Sequence, residues 1–93
     1  MNKSQMIELL KTDVPAWNQW REENPEAVID LSGADLSYAN LIRANFIRAT
    51  LDNVNFNYAN LGGADLFGAH FNGDAFDNAY LRGVNFFTNT EVK

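Results

Sequence analysis

From residue 29 to residue 88 the hydrophobic positions recur every five residues. The segments read IDLSG, ADLSY, ANLIR, ANFIR, ATLDN, VNFNY, ANLGG, ADLFG, AHFNG, DAFDN, AYLRG and VNFFT. The middle position is Leu or Phe in all twelve: Leu31, Leu36, Leu41, Phe46, Leu51, Phe56, Leu61, Leu66, Phe71, Phe76, Leu81 and Phe86. Two residues earlier stands Ala or Val in ten of twelve, Ile29 and Asp74 being the exceptions. A period of five matches neither the helical repeat of about 3.6 residues nor the strand repeat of about 2. A helix would scatter these side chains around its circumference, and a flat strand would alternate them between faces. A chain that turns a corner every five residues keeps them all inside. Four corners close one coil of twenty residues, and LSYANLIRAN (36–45), FNYANLGGAD (56–65) and FDNAYLRGVN (76–85) align at that larger period. Each coil buries little alone, so stability is expected from stacking identical positions into ladders.

Residues 1–28 follow a different rule. Met6, Ile7, Leu9 and Leu10 form an apolar helical face, with Ser4 as the expected N-cap. Asp13 is placed to cap a second helix with Pro15 in its first turn, Trp17 and Trp20 share a face, and Asn24-Pro25 stops it. A stacked solenoid leaves core side chains and unpaired backbone at its open end. The expected role of 1–28 is a cap that lays Trp17 and Trp20 over the first coil. Residues 89–93 form a short tail.

The repeated A(D/N)L core resembles the pentapeptide-repeat family, whose pattern is A(D/N)LXX; the resemblance covers residues 29–88. It implies an all-β solenoid, a right-handed quadrilateral β-helix of three coils, with the central Leu or Phe and the preceding Ala inside. It also implies a bacterial protein. Some members of that family are acidic rods that resemble B-form DNA and protect type II topoisomerases such as DNA gyrase. A DNA mimic is therefore the alternative to a noncatalytic protein-interaction or scaffold module, which is the expected function. Three coils at about 4.8 Å each stand only about 14 Å tall, short for a mimic.

Charge and composition narrow the classes. Net charge is −5, which argues against binding phosphate backbones. Within 29–88 six Asp face Arg43, Arg48 and Arg82, a mild imbalance for a DNA mimic. There is no Cys to form a disulfide or a thiolate metal site. With no signal-peptide pattern and no apolar run of membrane-spanning length, the expected location is the cytoplasm. No cofactor, metal or catalytic motif is read from the chain. His70 is the lone His, and Asp30, Asp35 and Asp65 occupy a repeat position where Asp or Asn bonds backbone at tight turns. Asp74 replaces a small inward residue, and a distorted corner is expected there.

One surface column breaks the pattern. The residue after the central position points outward and is mostly polar, but Ile47, Phe67 and Phe87 fall twenty apart and stack on one face. Such a column marks a contact surface unless the chain's own ends cover it. Arg48, Gly68 and Thr88 form its neighbouring rim. A protein partner, or a second copy meeting either this column or the last coil, is the expected ligand; nucleic acid and membrane are not.

Overall fold

The computed structural model describes residues 1–87. Two helices come first, α1 (Lys3–Thr12) and α2 (Val14–Glu23). Asn2, not Ser4, caps α1. The Asn2 side chain accepts from the Gln5 N–H at 2.8 Å, and the Gln5 side chain accepts from the Asn2 N–H at 2.8 Å. This reciprocal box satisfies two helix-end donors at once, which a cap at Ser4 would forgo, so the helix starts earlier than expected. Asp13 caps α2 by accepting from the Ala16 N–H at 3.1 Å. Met6 and Leu10 of α1 and Trp17 of α2 are buried in one continuous core with the repeats.

From Asp30 onward the chain stacks on itself at a spacing of twenty. Parallel bridges join Asp30, Thr50 and His70; Asp35 and Asn55; Asn40, Asn60 and Tyr80; and Asn45, Asp65 and Asn85. These four sets define four sides, numbered here in that order, on three levels. Every bridge is isolated, and no extended strand forms among the described residues. The all-β expectation thus needs correcting in detail. The central N–H groups of the first two coils, Phe56 excepted, reach the carbonyl nineteen residues on, as Leu31 to Thr50 at 2.9 Å, and the chain then turns at once, as Ala34 N–H to Leu31 carbonyl at 3.0 Å. With a turn in every pentad, no side is long enough for consecutive pairs.

Two local rules hold each corner. The residue two after the central position has positive φ at ten positions from Gly33 to Gly83; six are not glycine: Tyr38, Arg43, Arg48, Asn53, Tyr58 and Asn78. Positive φ at the third residue of a four-residue turn is the type II signature, and costs a non-glycine residue about 1–2 kcal/mol. The residue before the central position anchors the turn. Asp30, Asp35, Asn40, Asn45, Asn55, Asn60, Asp65 and Asn85 each accept from the N–H two residues on. These are all the Asp and Asn residues at that position, which explains the residue type.

The corner at Asp74 is the exception. Asp74 is exposed, and Ala75 takes the inward place instead. The turn bond shifts by one, from Ala75 N–H to the Asn72 carbonyl at 3.1 Å, and no bridge joins Asn55 to residue 75. The sequence states the cause: DAF reverses the order of the regular pattern, in which Ala precedes Asp or Asn. A carboxylate cannot sit unpaired in the core, so the register slips by one residue to bury the alanine.

The core is graded. The eight central residues from Leu31 to Leu66 are 0% exposed. Phe71, Phe76 and Leu81 are half-buried, and Phe86 is 39% exposed, so these four depart from the full burial expected of them. Phe71, Phe76 and Phe86 instead pack edge to face on one another, with centroids 4.9 to 6.0 Å apart. They have a neighbouring coil above only, within the described residues.

Candidate interaction surface

The fourth side carries the Ile47, Phe67 and Phe87 column. Asn45, Asp65 and Asn85 accept from the N–H groups of Ile47, Phe67 and Phe87 at 2.9, 3.0 and 3.1 Å. The Asn85 amide also donates to Asp65 Oδ1 at 3.1 Å, tying the third level to the second. Each apolar residue is therefore fixed at its own backbone as well as by the coil. Ile47 and Phe67 are half-buried, and Phe87 is 67% exposed.

Two arginines flank the column at the first level. Both have positive φ, and each lies over a glycine one level on. A Cβ added to Gly63 would stand 3.4 Å from Arg43 Cγ, and one added to Gly68 would stand 3.2 Å from Arg48 Cγ. The guanidinium of Arg48 rests 5.5 Å from the Phe67 ring centroid, a cation–π geometry. The Gly68 of the expected rim thus exists as room for Arg48. Thr88 of that rim, and the 89–93 tail, lie outside the described residues.

Helix α2 closes the upper edge of this side. Trp17 Nε1 and Arg21 Nη1 donate to the Asn45 carbonyl at 2.9 and 3.0 Å, and Arg21 Nη2 donates to the Ile47 carbonyl at 2.7 Å. Asn18 donates to the Arg43 carbonyl at 2.9 Å and accepts from the Asn45 N–H at 2.8 Å. These are edge groups that a preceding coil would satisfy, so side chains of one helix face stand in for a coil. Trp17 is fully buried and cannot stack on a ligand; Trp20, half-buried, packs 5.5 Å from it. The structural roles of Asn18 and Arg21 escape a pattern search for apolar faces. Their signal is positional, since residues 17, 18 and 21 share a helix face. Arg21 has a pKa below the ordinary arginine value, from burial first and from the nearby Arg48 charge second.

Charge divides by side. Asp30, Asp35, Asp52, Asp74 and Asp77 lie on the first and second sides, whereas Arg43, Arg48 and Arg82 lie on the third and fourth with Asp65. The other candidates stay on the acidic half. His70 is exposed, and its Nδ1 hydrogen-bonds the Asp52 carboxylate. Asp30 and Asp35 have pKa values held below the usual carboxylate value by bonds from Ser32 and Ser37, and they occupy turns. No group of three or more His, Cys, Asp or Glu clusters for a metal among the described residues. No helix among them is long and apolar enough to cross a membrane.

A solved structure, a pentapeptide repeat protein (Rfr23) from the cyanobacterium Cyanothece 51142, is 36% identical over 66% of this chain, with a TM-score of 0.44. The chain spans 37% of that protein's length. Comparison with curated proteins returned no match. The family model described as pentapeptide repeats (8 copies) matches residues 29–66 and 59–86. Those two matches cover the twenty-residue stack and its turns from the first bridge to the last, and the chain belongs to the pentapeptide-repeat family.

Proposed function

We propose that the chain is a noncatalytic protein-interaction module on a right-handed quadrilateral β-helix, with the fourth side as its contact surface. The noncatalytic part rests on family membership. The contact part rests on one observation: Ile47, Phe67 and Phe87 stack in a column whose backbone is pinned at every level. A rigid apolar column loses little entropy on binding, which favours its use as a contact. Phe67 is the central anchor. A second copy meeting this side or the third coil is the simplest partner to test.

The acidic DNA-mimic reading draws on the net charge of −5. It is disfavoured because five of the six repeat aspartates occupy two sides while the arginines occupy the other two, so no continuous negative rod faces a DNA-binding groove. Inhibition of gyrase supercoiling by the purified chain would reverse that preference.

The test is Phe67→Lys, followed by thermal unfolding and by light scattering with chemical crosslinking to native-host proteins. Retained melting temperature with lost association supports the module. A large loss of stability places Phe67 under intramolecular cover, and unchanged behaviour in both assays removes the column from the functional account.

A further inference from the structure

The fourth side is apolar in its middle and cationic at its edges. Arg43 and Arg48 flank the column, and Arg21 enters from the cap above it. Among the described residues none of the three lies within ion-pair distance of a carboxylate. Asp65, the acid of this side, is engaged by the Phe67 N–H and the Asn85 amide. Burial first, and the nearby Arg48 charge second, lower the Arg21 pKa. Arg43 and Arg48 moreover hold a backbone conformation that glycine adopts at Gly63 and Gly68 one level on, and lie over those glycines. Gly63 and Gly68 leave room for the two arginine side chains to lie along this side.

We propose that this side docks a short extended segment of a partner protein in which Asp or Glu residues are mixed with aromatic or branched apolar ones. The proposal rests on the interaction-module reading and adds the chemistry and size of the partner. Carboxylates would meet Arg43 and Arg48, whose planar forks suit them, and apolar side chains would pack on Phe67 beside the Arg48 guanidinium. Size decides against a globular partner held by this side alone. Three levels stand about 14 Å tall, and such a strip falls well short of the ~800 Å² that each partner of a stable interface buries. Four or five residues of extended chain, at about 3.3 Å each, run its length. Overall charge decides against nucleic acid: at −5 the molecule repels a polyanion, while a segment with a few carboxylates senses the local arginines.

The experiment is selection of a phage-displayed random decapeptide library on the immobilised full chain. The expected result is several-fold enrichment of Asp or Glu together with Phe, Tyr, Leu or Ile over the input library. Enrichment should vanish on Phe67→Ser. On Arg43→Glu/Arg48→Glu it should turn toward Lys and Arg, and on Asp77→Asn, a second-side control, it should persist. The double arginine variant keeps the test decisive if Phe67→Ser fails to fold. The proposal is overturned by no enrichment, by enrichment without acids, or by acidic enrichment that ignores both fourth-side variants. A mass by light scattering that doubles and returns to monomer on Phe67→Ser gives the side to a second copy and overturns it too. Failure of the selection alongside Phe67-dependent association removes the peptide chemistry and leaves the module standing. Failure with Phe67→Lys neutral in every assay removes both.

Discussion

The first and third coils are written in the same five-residue pattern, and they are not equally folded. Leu31, Leu36, Leu41 and Phe46 of the first coil are 0% exposed, whereas Phe86 of the third is 39% exposed and Phe71, Phe76 and Leu81 are half-buried. Both coils lie against the second. The first also lies under α1 and α2, whose Trp17, Asn18 and Arg21 take up the free backbone of its edge. It is joined to the second coil by four bridges, the third by three. The first coil also tolerates Tyr38, Arg43 and Arg48 at positive φ, where the third holds Asn78 and Gly83. The pentad therefore encodes where the chain turns and what it stacks on. How completely a coil is buried depends on its neighbours, as nearest-neighbour stability in a solenoid requires.

The largest test of that difference removes the cap's anchor. Trp17→Ala deletes a fully buried ring and its bond to the Asn45 carbonyl, and should cost about 3–5 kcal/mol in urea unfolding. Phe86→Ala, at the open end, should cost under about 1 kcal/mol. Equal costs would show that the cap does not protect the first coil. Native Trp emission should be blue-shifted and move red in one step with unfolding; red emission from the native protein would count equally against it.

Within the stack, Leu51→Ala should cost about 3–5 kcal/mol, and Leu81→Ala about half of that. Leu51 is covered by coils on both sides and leaves a cavity, while the half-buried Leu81 leaves a dent that water fills. Hydrogen exchange should follow the same order, with first-to-second coil amides slower than second-to-third. If Leu81 proves as costly as Leu51, the graded core is wrong.

Much of this architecture is legible in the residues. The Leu and Phe spacing predicts the twenty-residue coil, and the lone polar Asp74 predicts a broken corner. The location of the break is subtler than a misplaced carboxylate. Ala75 slides into the core, which a position-by-position reading misses because it holds the register fixed. The positive φ of Tyr38, Arg43 and Arg48 is hidden because residues of ordinary type occupy it, the strain being absorbed by the surrounding stack. Of the surface column, the twenty-residue alignment of Ile47, Phe67 and Phe87 can be read directly. The arginines that give the side its chemistry cannot, because their reach depends on Gly63 and Gly68 one level away. The cap's polar bonds are invisible for a similar reason: Asn18 and Arg21 meet backbone, which leaves no residue-type signature.

The break itself can be repaired. Exchanging the pair, Asp74→Ala with Ala75→Asp, restores the order of the other repeats, Ala then Asp or Asn then the central Leu or Phe. It should rebuild the bridge to Asn55 and give the Asp77 N–H a carboxylate acceptor. We expect a gain of about 0.5–2 kcal/mol. Asp74→Ala alone should gain less, because residue 75 would still lack that acceptor. The exchange should also slow the Phe56 amide, which has no partner in the slipped register. A loss of stability would mean that the slip is itself stabilising, and would direct attention to the polar cleft of about 260 Å³ lined by Asn53, Asn55, Asn57, Asn72 and Asp74.

The smallest effect concerns acid, and it falls on the first coil. Asp30 and Asp35 each accept from a serine hydroxyl and its backbone N–H, and these bonds hold both pKa values below the ordinary aspartate value of 3.8. Their counterparts in the third coil are His70 and Ala75, which make no such turn bond. A depressed folded value means that the ionised form favours the native state. The contribution is complete above the unfolded value of 3.8 and is lost as the pH falls through the lower folded value. Acidification below about pH 4 should therefore erode the first coil's advantage, lowering the melting temperature modestly because both groups are fully exposed. Asp35→Asn keeps an oxygen acceptor for the Ser37 N–H but cannot titrate. It should flatten the acid limb of a plot of melting temperature against pH by lowering the neutral plateau slightly, toward the acid value. An acid limb identical to that of the parent chain would assign the loss to other carboxylates, and the turn-bound aspartates would then contribute geometry alone.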